Sequence, residues 1–237
     1  MKINESGTGY PLVLFHGWGF DQLIWETLTQ QIAGRFTVYV VDLPGFGQSP
    51  VMTWNRFKTQ ILKQLPDRFA LAGWSLGGLY ATRLALESSP RVSHLINIAS
   101  SPRFIKTDNW PGVEQRVLDT FFNELQRDPG GVRTRFIELQ SQRQAPQTPA
   151  CFLPSVEGLK AGLDVLANWD LRDKLHQLDI PVCYMFGRFD AITPRTTLTT
   201  MKILYPQFDY VLFPKASHMP FMSHQDAFIS ELERFIP

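Results

Sequence analysis

Short stretches that are apolar almost throughout recur along this chain, and that continuity constrains its fold more than any other feature. They are Leu12-Val13-Leu14-Phe15, Thr37-Val38-Tyr39-Val40-Val41, Phe69-Ala70-Leu71-Ala72, Leu95-Ile96-Asn97-Ile98, Val182-Cys183-Tyr184-Met185-Phe186 and Tyr210-Val211-Leu212-Phe213. A strand with one wet face alternates apolar and polar residues; a strand buried on both faces does not. The early runs are separated by helix-like segments, residues 25–33 and 54–64. Strand, helix, strand repetition predicts a doubly wound, mostly parallel α/β sheet with helices on both faces and right-handed crossovers. The rhythm breaks after Ile98. From about residue 108 to 174 the periods are helical only, at 113–125, 132–140 and 156–166, punctuated by Pro129-Gly130-Gly131, Pro146, Pro149 and Pro154. Residues 1–107 and 174–237 therefore read as one core, and residues 108–173 as an all-helical cap inserted over the strand ends, where ligands bind in such folds.

At 237 residues and 44% hydrophobic content the chain can bury one large core and carry such an insertion. A formal net charge of +1, without long runs of like charge, argues against a dedicated nucleic-acid binder. The opening residues, Met1 to Gly7, lack the apolar stretch of a secretion signal, and no apolar segment approaches the ~20 residues of a membrane helix. The two cysteines, Cys151 and Cys183, are far apart and outside metal-binding spacings. A reducing, cytoplasmic setting is expected, with no membrane partner.

The strand at 69–72 runs directly into Gly73-Trp74-Ser75-Leu76-Gly77-Gly78, and a helix-forming composition follows. A serine pinned between strand and helix by glycines is the G-x-S-x-G nucleophile elbow, in which a Cβ at Gly73 or Gly77 would strike neighbouring backbone. The competing reading is a glycine-rich turn whose serine caps the helix. A serine hydroxyl needs a base, and the base needs an orienting group. With this elbow the chain order is nucleophile, acid, histidine, so both partners should follow Ser75. His218, in the loop after strand 210–213, fits the base; His94, His176 and His224 read as surface or capping residues. Asp190, just past strand 182–186, fits the acid. Asp42 is the rival, since it too ends a strand, but it precedes the serine and sits in a Pro-Gly turn. Oxyanion donors are expected from the backbone N–H groups of Leu76 and of Trp18, in the loop His16-Gly17-Trp18-Gly19, which frees the Trp18 indole to wall an acyl pocket. His16 reads as a core histidine bracing that loop. No metal-ligand cluster of the H-E-x-x-H kind is present, so neither metal nor cofactor is expected.

Several motifs together resemble something narrower. His16-Gly17-Trp18-Gly19, Val41-Asp42-Leu43-Pro44-Gly45-Phe46-Gly47, Gly73-Trp74-Ser75-Leu76-Gly77-Gly78, Ala99-Ser100-Ser101-Pro102, Trp110-Pro111-Gly112 and Trp169-Asp170-Leu171-Arg172 resemble the pimeloyl-[acyl-carrier protein] methyl ester carboxylesterases of biotin biosynthesis, in the α/β-hydrolase superfamily. The resemblance spans nearly the whole chain. It implies a cofactor-free esterase in which Ser75, Asp190 and His218 form the triad and Trp18 and Leu76 line the acyl and oxyanion site. It further implies that Arg135, Phe136, Ile137, Glu138, Leu139 and Gln140 form a lid segment along the substrate channel, joined by Phe121. Aromatics at helical spacing also commonly pack a core, which is the plainer reading of Phe121 and Phe136. Lid arginines of the family meet the acidic carrier; Arg133, Arg135 and Arg143 are the candidates here. Gly130-Gly131 and a shortened 144–154 segment depart from the family's more basic lid. A monomer is expected. Other readings are a broad short-chain esterase or thioesterase, and a binding protein that has lost catalysis.

Overall fold

The computed structural model describes residues 1–141 and 151–236. Its strands are β1 (Ile3–Gly7), β2 (Tyr10–Phe15), β3 (Phe36–Val41), β4 (Phe69–Trp74), β5 (Val92–Ile98), β6 (Val182–Gly187) and β7 (Asp209–Phe213). Among the described residues they form one seven-stranded sheet in the order β1-β3-β2-β4-β5-β6-β7. All neighbours are parallel except β1, which lies antiparallel on β3. β1 is the strand the apolar runs do not reveal. It is an edge strand, exposed along most of its length, and backbone pairing to β3 holds it instead of burial. β4 extends two residues beyond the apolar run because Gly73 and Trp74 still pair with Asn97 and Ile98.

The helices are α1 (Glu26–Ile32), α2 (Trp54–Gln64), α3 (Leu76–Glu87), α4 (Gln115–Leu125), α5 (Pro129–Ser141), α6 (Val156–Asn168), α7 (Arg195–Leu204), the single turn α8 (Pro220–Ser223) and α9 (Gln225–Phe235). Trp25, expected to open α1, instead ends a 3₁₀ turn from Gln22, because the Asp21 carboxylate caps Leu23 N–H at 2.9 Å and starts the tighter turn there.

The continuous apolar runs do alternate between two cores. Val13 and Phe15 of β2 face Phe57 and Ile61 of α2 and the helices α3 to α7, whereas Leu12 and Leu14 face Leu28 and Ile32 of α1 and Leu232 of α9. Each such side chain contributes ~1.5–3 kcal/mol on full burial, so both faces are strongly specified. Between β5 and β6 the chain leaves the sheet for α4, α5 and α6; α4 packs on both α5 and α6, and α6 also rests on α3. Among the described residues no helix is long and apolar enough to cross a membrane.

Candidate active site

Three loops at the C-terminal ends of parallel strands deliver the key side chains: Ser75 after β4, Asp190 after β6 and His218 after β7. Ser75 has φ 54° and ψ −117°, a backbone that L-residues rarely adopt. The conformation is held at both ends. Ser75 N–H donates to the Ile98 carbonyl at 2.9 Å, and the Ser75 carbonyl accepts from Gly78 N–H at 2.9 Å and from the Ser100 hydroxyl at 2.8 Å. A Cβ at Gly73 would collide with the Gly77 carbonyl, and one at Gly77 with the Phe15 carbonyl. The elbow therefore requires glycine on both sides of the serine, as its motif predicts.

His218 Nδ1 lies 2.7 Å from Asp190 Oδ2, with both side chains fully buried. Asp190 also accepts from the N–H groups of Ile192 and Thr193 at 2.8 and 3.0 Å and from the Thr193 hydroxyl at 2.5 Å. A carboxylate acting only as acceptor makes Nδ1 the protonated ring nitrogen and leaves a lone pair on Nε2. The indole of Trp74, the residue before Ser75, donates to the His218 carbonyl at 2.9 Å, which ties the two loops together. Ser75 Oγ and His218 Nε2 are both buried and have no hydrogen-bond partner among the described residues. A hydroxyl and a basic nitrogen kept clear of competing partners are suited to nucleophilic chemistry, whose hydrogen bonds tighten when substrate arrives. Leu76 opens α3, and neither its N–H nor that of Trp18 meets a protein acceptor among the described residues. Two donors of this kind are what a developing oxyanion requires.

Ser75 opens into a cavity of about 300 Å³ whose walls include Phe104, Leu118, Phe121, Phe136, Leu166 and Ile192, with Glu114 as the one charged lining residue among the described residues. Phe121 and Phe136 meet edge to face at 5.7 Å, so these aromatics both pack the core and line the cavity. The Trp18 indole does not. A buried indole needs an acceptor, and its Nε1 donates to the Leu159 carbonyl at 2.8 Å while its ring packs on Phe136 at 4.7 Å. Only its backbone remains for the site. Leu76 and Ile137 stand outside the lining, Ile137 packing toward the opposite core, and Glu138 is exposed. The side chains of Leu139 and Gln140, and all of Arg143, lie outside the described residues.

The rival residues have other work. Asp42 accepts from Gln22 N–H and Gln48 N–H at 2.9 and 2.8 Å and closes its own turn; burial pushes its carboxyl up. His16 Nε2 accepts from Leu43 N–H at 3.0 Å and Nδ1 donates to the Gly17 carbonyl at 2.8 Å, bracing the Trp18 loop. Two candidate carrier contacts are engaged within the chain: Arg133 Nε donates to the Gly19 carbonyl at 2.5 Å, and Arg135 pairs with Glu124 and, at 3.8 Å, Asp128. Sequence reasoning missed Ser100 and Thr193 as supports. Thr193 was discoverable, since Asp190-Ala191-Ile192-Thr193 is a local side-chain turn signature; Ser100 acts across 25 residues and carries no local signal. Among the described residues no cluster of His, Cys, Asp and Glu is arranged to hold a metal ion.

A family model described as "Alpha/beta hydrolase family" matches residues 12–231. The pimeloyl-[acyl-carrier protein] methyl ester esterase of Legionella pneumophila (strain Corby) is 50% identical over 236 residues, covering 100% of this chain and 99% of its own length. The protein of the same name from Aliivibrio salmonicida is 39% identical, covering 98% of this chain and 94% of its own. Among solved structures, an esterase from Exiguobacterium antarcticum superposes with a TM-score of 0.87 at 21% identity, covering 98% of this chain and 94% of that one, a likeness of fold.

Proposed function

Since the chain belongs to the α/β-hydrolase family and groups with its pimeloyl-[acyl-carrier protein] methyl ester esterases, we propose that it hydrolyses the methyl ester of carrier-bound pimeloyl methyl ester through Ser75, His218 and Asp190. The observation that carries this reading is the buried Asp190–His218 pair together with an unpartnered Ser75 hydroxyl that opens into an apolar cavity.

Ser75 Oγ attacks the ester carbonyl as His218 Nε2 takes its proton, and Asp190 stabilises the imidazolium and its orientation. The tetrahedral oxyanion is met by the N–H groups of Leu76 and Trp18, each worth ~3–4 kcal/mol in such sites. The C–O bond to the methoxy group breaks, and His218 returns the proton so that methanol leaves. Water then attacks the acyl-enzyme, giving its proton to His218. Ser75 departs with that proton and the pimeloyl carboxylate is freed, still on its carrier. Along the apolar walls each buried methylene of the acyl chain contributes ~0.8 kcal/mol. The charge born on the product is poorly housed by those walls, which favours release. Residues 108–173 act as the lid of this cavity. Free thiols at both Cys151 and Cys183 support a cytoplasmic setting, and the chain acts as a monomer.

The test is mass spectrometry of methyl pimeloyl-carrier incubated with the protein. A mass loss of one methylene unit is expected, and Ser75→Ala should lower kcat at least ~10⁴-fold. Near-normal turnover by that variant would remove Ser75 from the chemistry. A second reading, a broad short-chain esterase, draws support from the engagement of Arg133 and Arg135 within the chain. Profiling p-nitrophenyl esters of increasing chain length beside the carrier substrate separates the two.

A further inference from the structure

We propose that Arg133 is a positioning residue for the oxyanion site: it fastens the Trp18 loop to the lid, so that lid seating and donor placement are one event. This rests on the serine-esterase reading above. The loop between β2 and α1 is bonded to three separate parts of the lid. Arg133 Nε of α5 donates to the Gly19 carbonyl at 2.5 Å, Phe152 N–H donates to the buried Asp21 carboxylate at 2.7 Å, and Trp18 Nε1 donates to the Leu159 carbonyl of α6 at 2.8 Å. These bonds fasten Trp18 itself and the residues that follow it, Gly19 and Asp21. On the core side the loop is braced at its two ends, by His16 to Leu43 at 3.0 Å and by Gln22 N–H to Asp42 at 2.9 Å, while the stretch between them has the longer Phe20 N–H to Gly17 contact at 3.4 Å.

The residue types fit the task. Gly19 has φ +81°, a left-handed bend that suits glycine, and a Cβ there would meet the Arg133 stem. The Arg133 guanidinium also lies over the Phe20 ring at 5.7 Å, and Phe20 packs on Trp74 at 5.0 Å. Trp74 precedes Ser75 and holds the His218 carbonyl. Arg133 thus reaches both halves of the site from outside the cavity lining. A lid that lifts would break the Gly19 bond and loosen the Trp18 N–H.

The discriminating substrate is a small p-nitrophenyl ester with no carrier. For Arg133→Gln, kcat on that ester should fall about 10- to 100-fold, with KM changed less than about threefold, as expected for a misplaced donor. Affinity for an alkyl boronic acid, which forms a tetrahedral adduct on serine, should fall in proportion to kcat/KM. Arg133→Lys, which keeps a cationic donor, should recover most of the loss. An unchanged kcat on the small ester, with loss confined to KM for the carrier substrate, would make Arg133 a carrier contact and overturn the proposal. A loss of kcat without loss of boronate affinity would overturn it too. Should Arg133→Gln not fold, Asp21→Asn probes the same fastening, and unaltered small-ester kinetics there count against it. Wild-type protein that cleaves the small ester but not the carrier-bound one would sink the substrate assignment alone.

Discussion

His16 shows how completely burial can fix a titratable side chain's charge. Burial pulls its imidazole down to about 4, against opposing effects of the Gly17 carbonyl and the Asp21 charge. Its Nε2 must stay unprotonated to accept from Leu43 N–H. The unfolded chain binds this proton near pH 6.5, whereas the folded protein refuses it until about pH 4. Stability is therefore full above pH 6.5 and falls with pH through that window, by about 3 kcal/mol at its lower end. Urea unfolding between pH 7 and 4.5 should show this decline, and His16→Gln should flatten it. His94, pulled down by burial and Arg68, adds a slope of the same sign that the variant retains. Glu87, held at about 2 despite burial by its bonds from Lys58, Trp54 and Arg83, adds a slope of the same sign that begins only near its unfolded value of 4.5, at the bottom of this window, and the variant retains it. An equal slope in wild type and variant would place the titration elsewhere.

At the scale of elements, α6 is placed by close backbone approach. A Cβ on Gly158 would overlap the Gly45 carbonyl, and one on Gly162 would stand 2.7 Å from Trp18 Cδ1. Glycine inside a helix costs ~1 kcal/mol relative to alanine, so both positions sacrifice helix propensity for proximity. Gly158→Ala should regain that ~1 kcal/mol but lose ~1–3 kcal/mol to overpacking, because the opposing atoms are backbone and do not yield. The expected result is a lower urea midpoint together with a raised KM for acyl esters, as Leu166 and its neighbours shift at the cavity wall. A stabilised variant with unaltered KM would show that α6 can slide without consequence. The far end of α6 is fastened differently: Arg83 lies between the rings of Trp54 and Trp169, at 4.6 and 4.5 Å, and bonds Glu87.

For the whole molecule, charge is nearly balanced at +1, so long-range attraction to an acidic carrier must come from local patches. Exposed ion pairs each contribute only ~0.2–1 kcal/mol and are screened beyond ~10 Å at 0.1 M salt. KM for the carrier-bound ester should rise several-fold between roughly 0.05 and 0.5 M NaCl, while KM for a small neutral ester stays level. Parallel behaviour of the two substrates would mean that the carrier is not held by charge.

The sequence by itself determined the parallel sheet, the elbow at Ser75 and the candidate histidine, because continuous apolar runs and paired glycines are local demands that hold whatever the rest of the chain does. β1 escaped that reading, since an exposed edge strand such as Ile3–Gly7 is held by pairing and carries little apolar pattern. Only the tertiary structure decided that Asp190 and not Asp42 meets His218, that the Trp18 indole turns to Leu159 across 141 residues, and that Arg133 points inward to Gly19. Those outcomes depend on which buried donor finds which acceptor, and a hydrogen-bond partner distant along the chain leaves no trace in local composition.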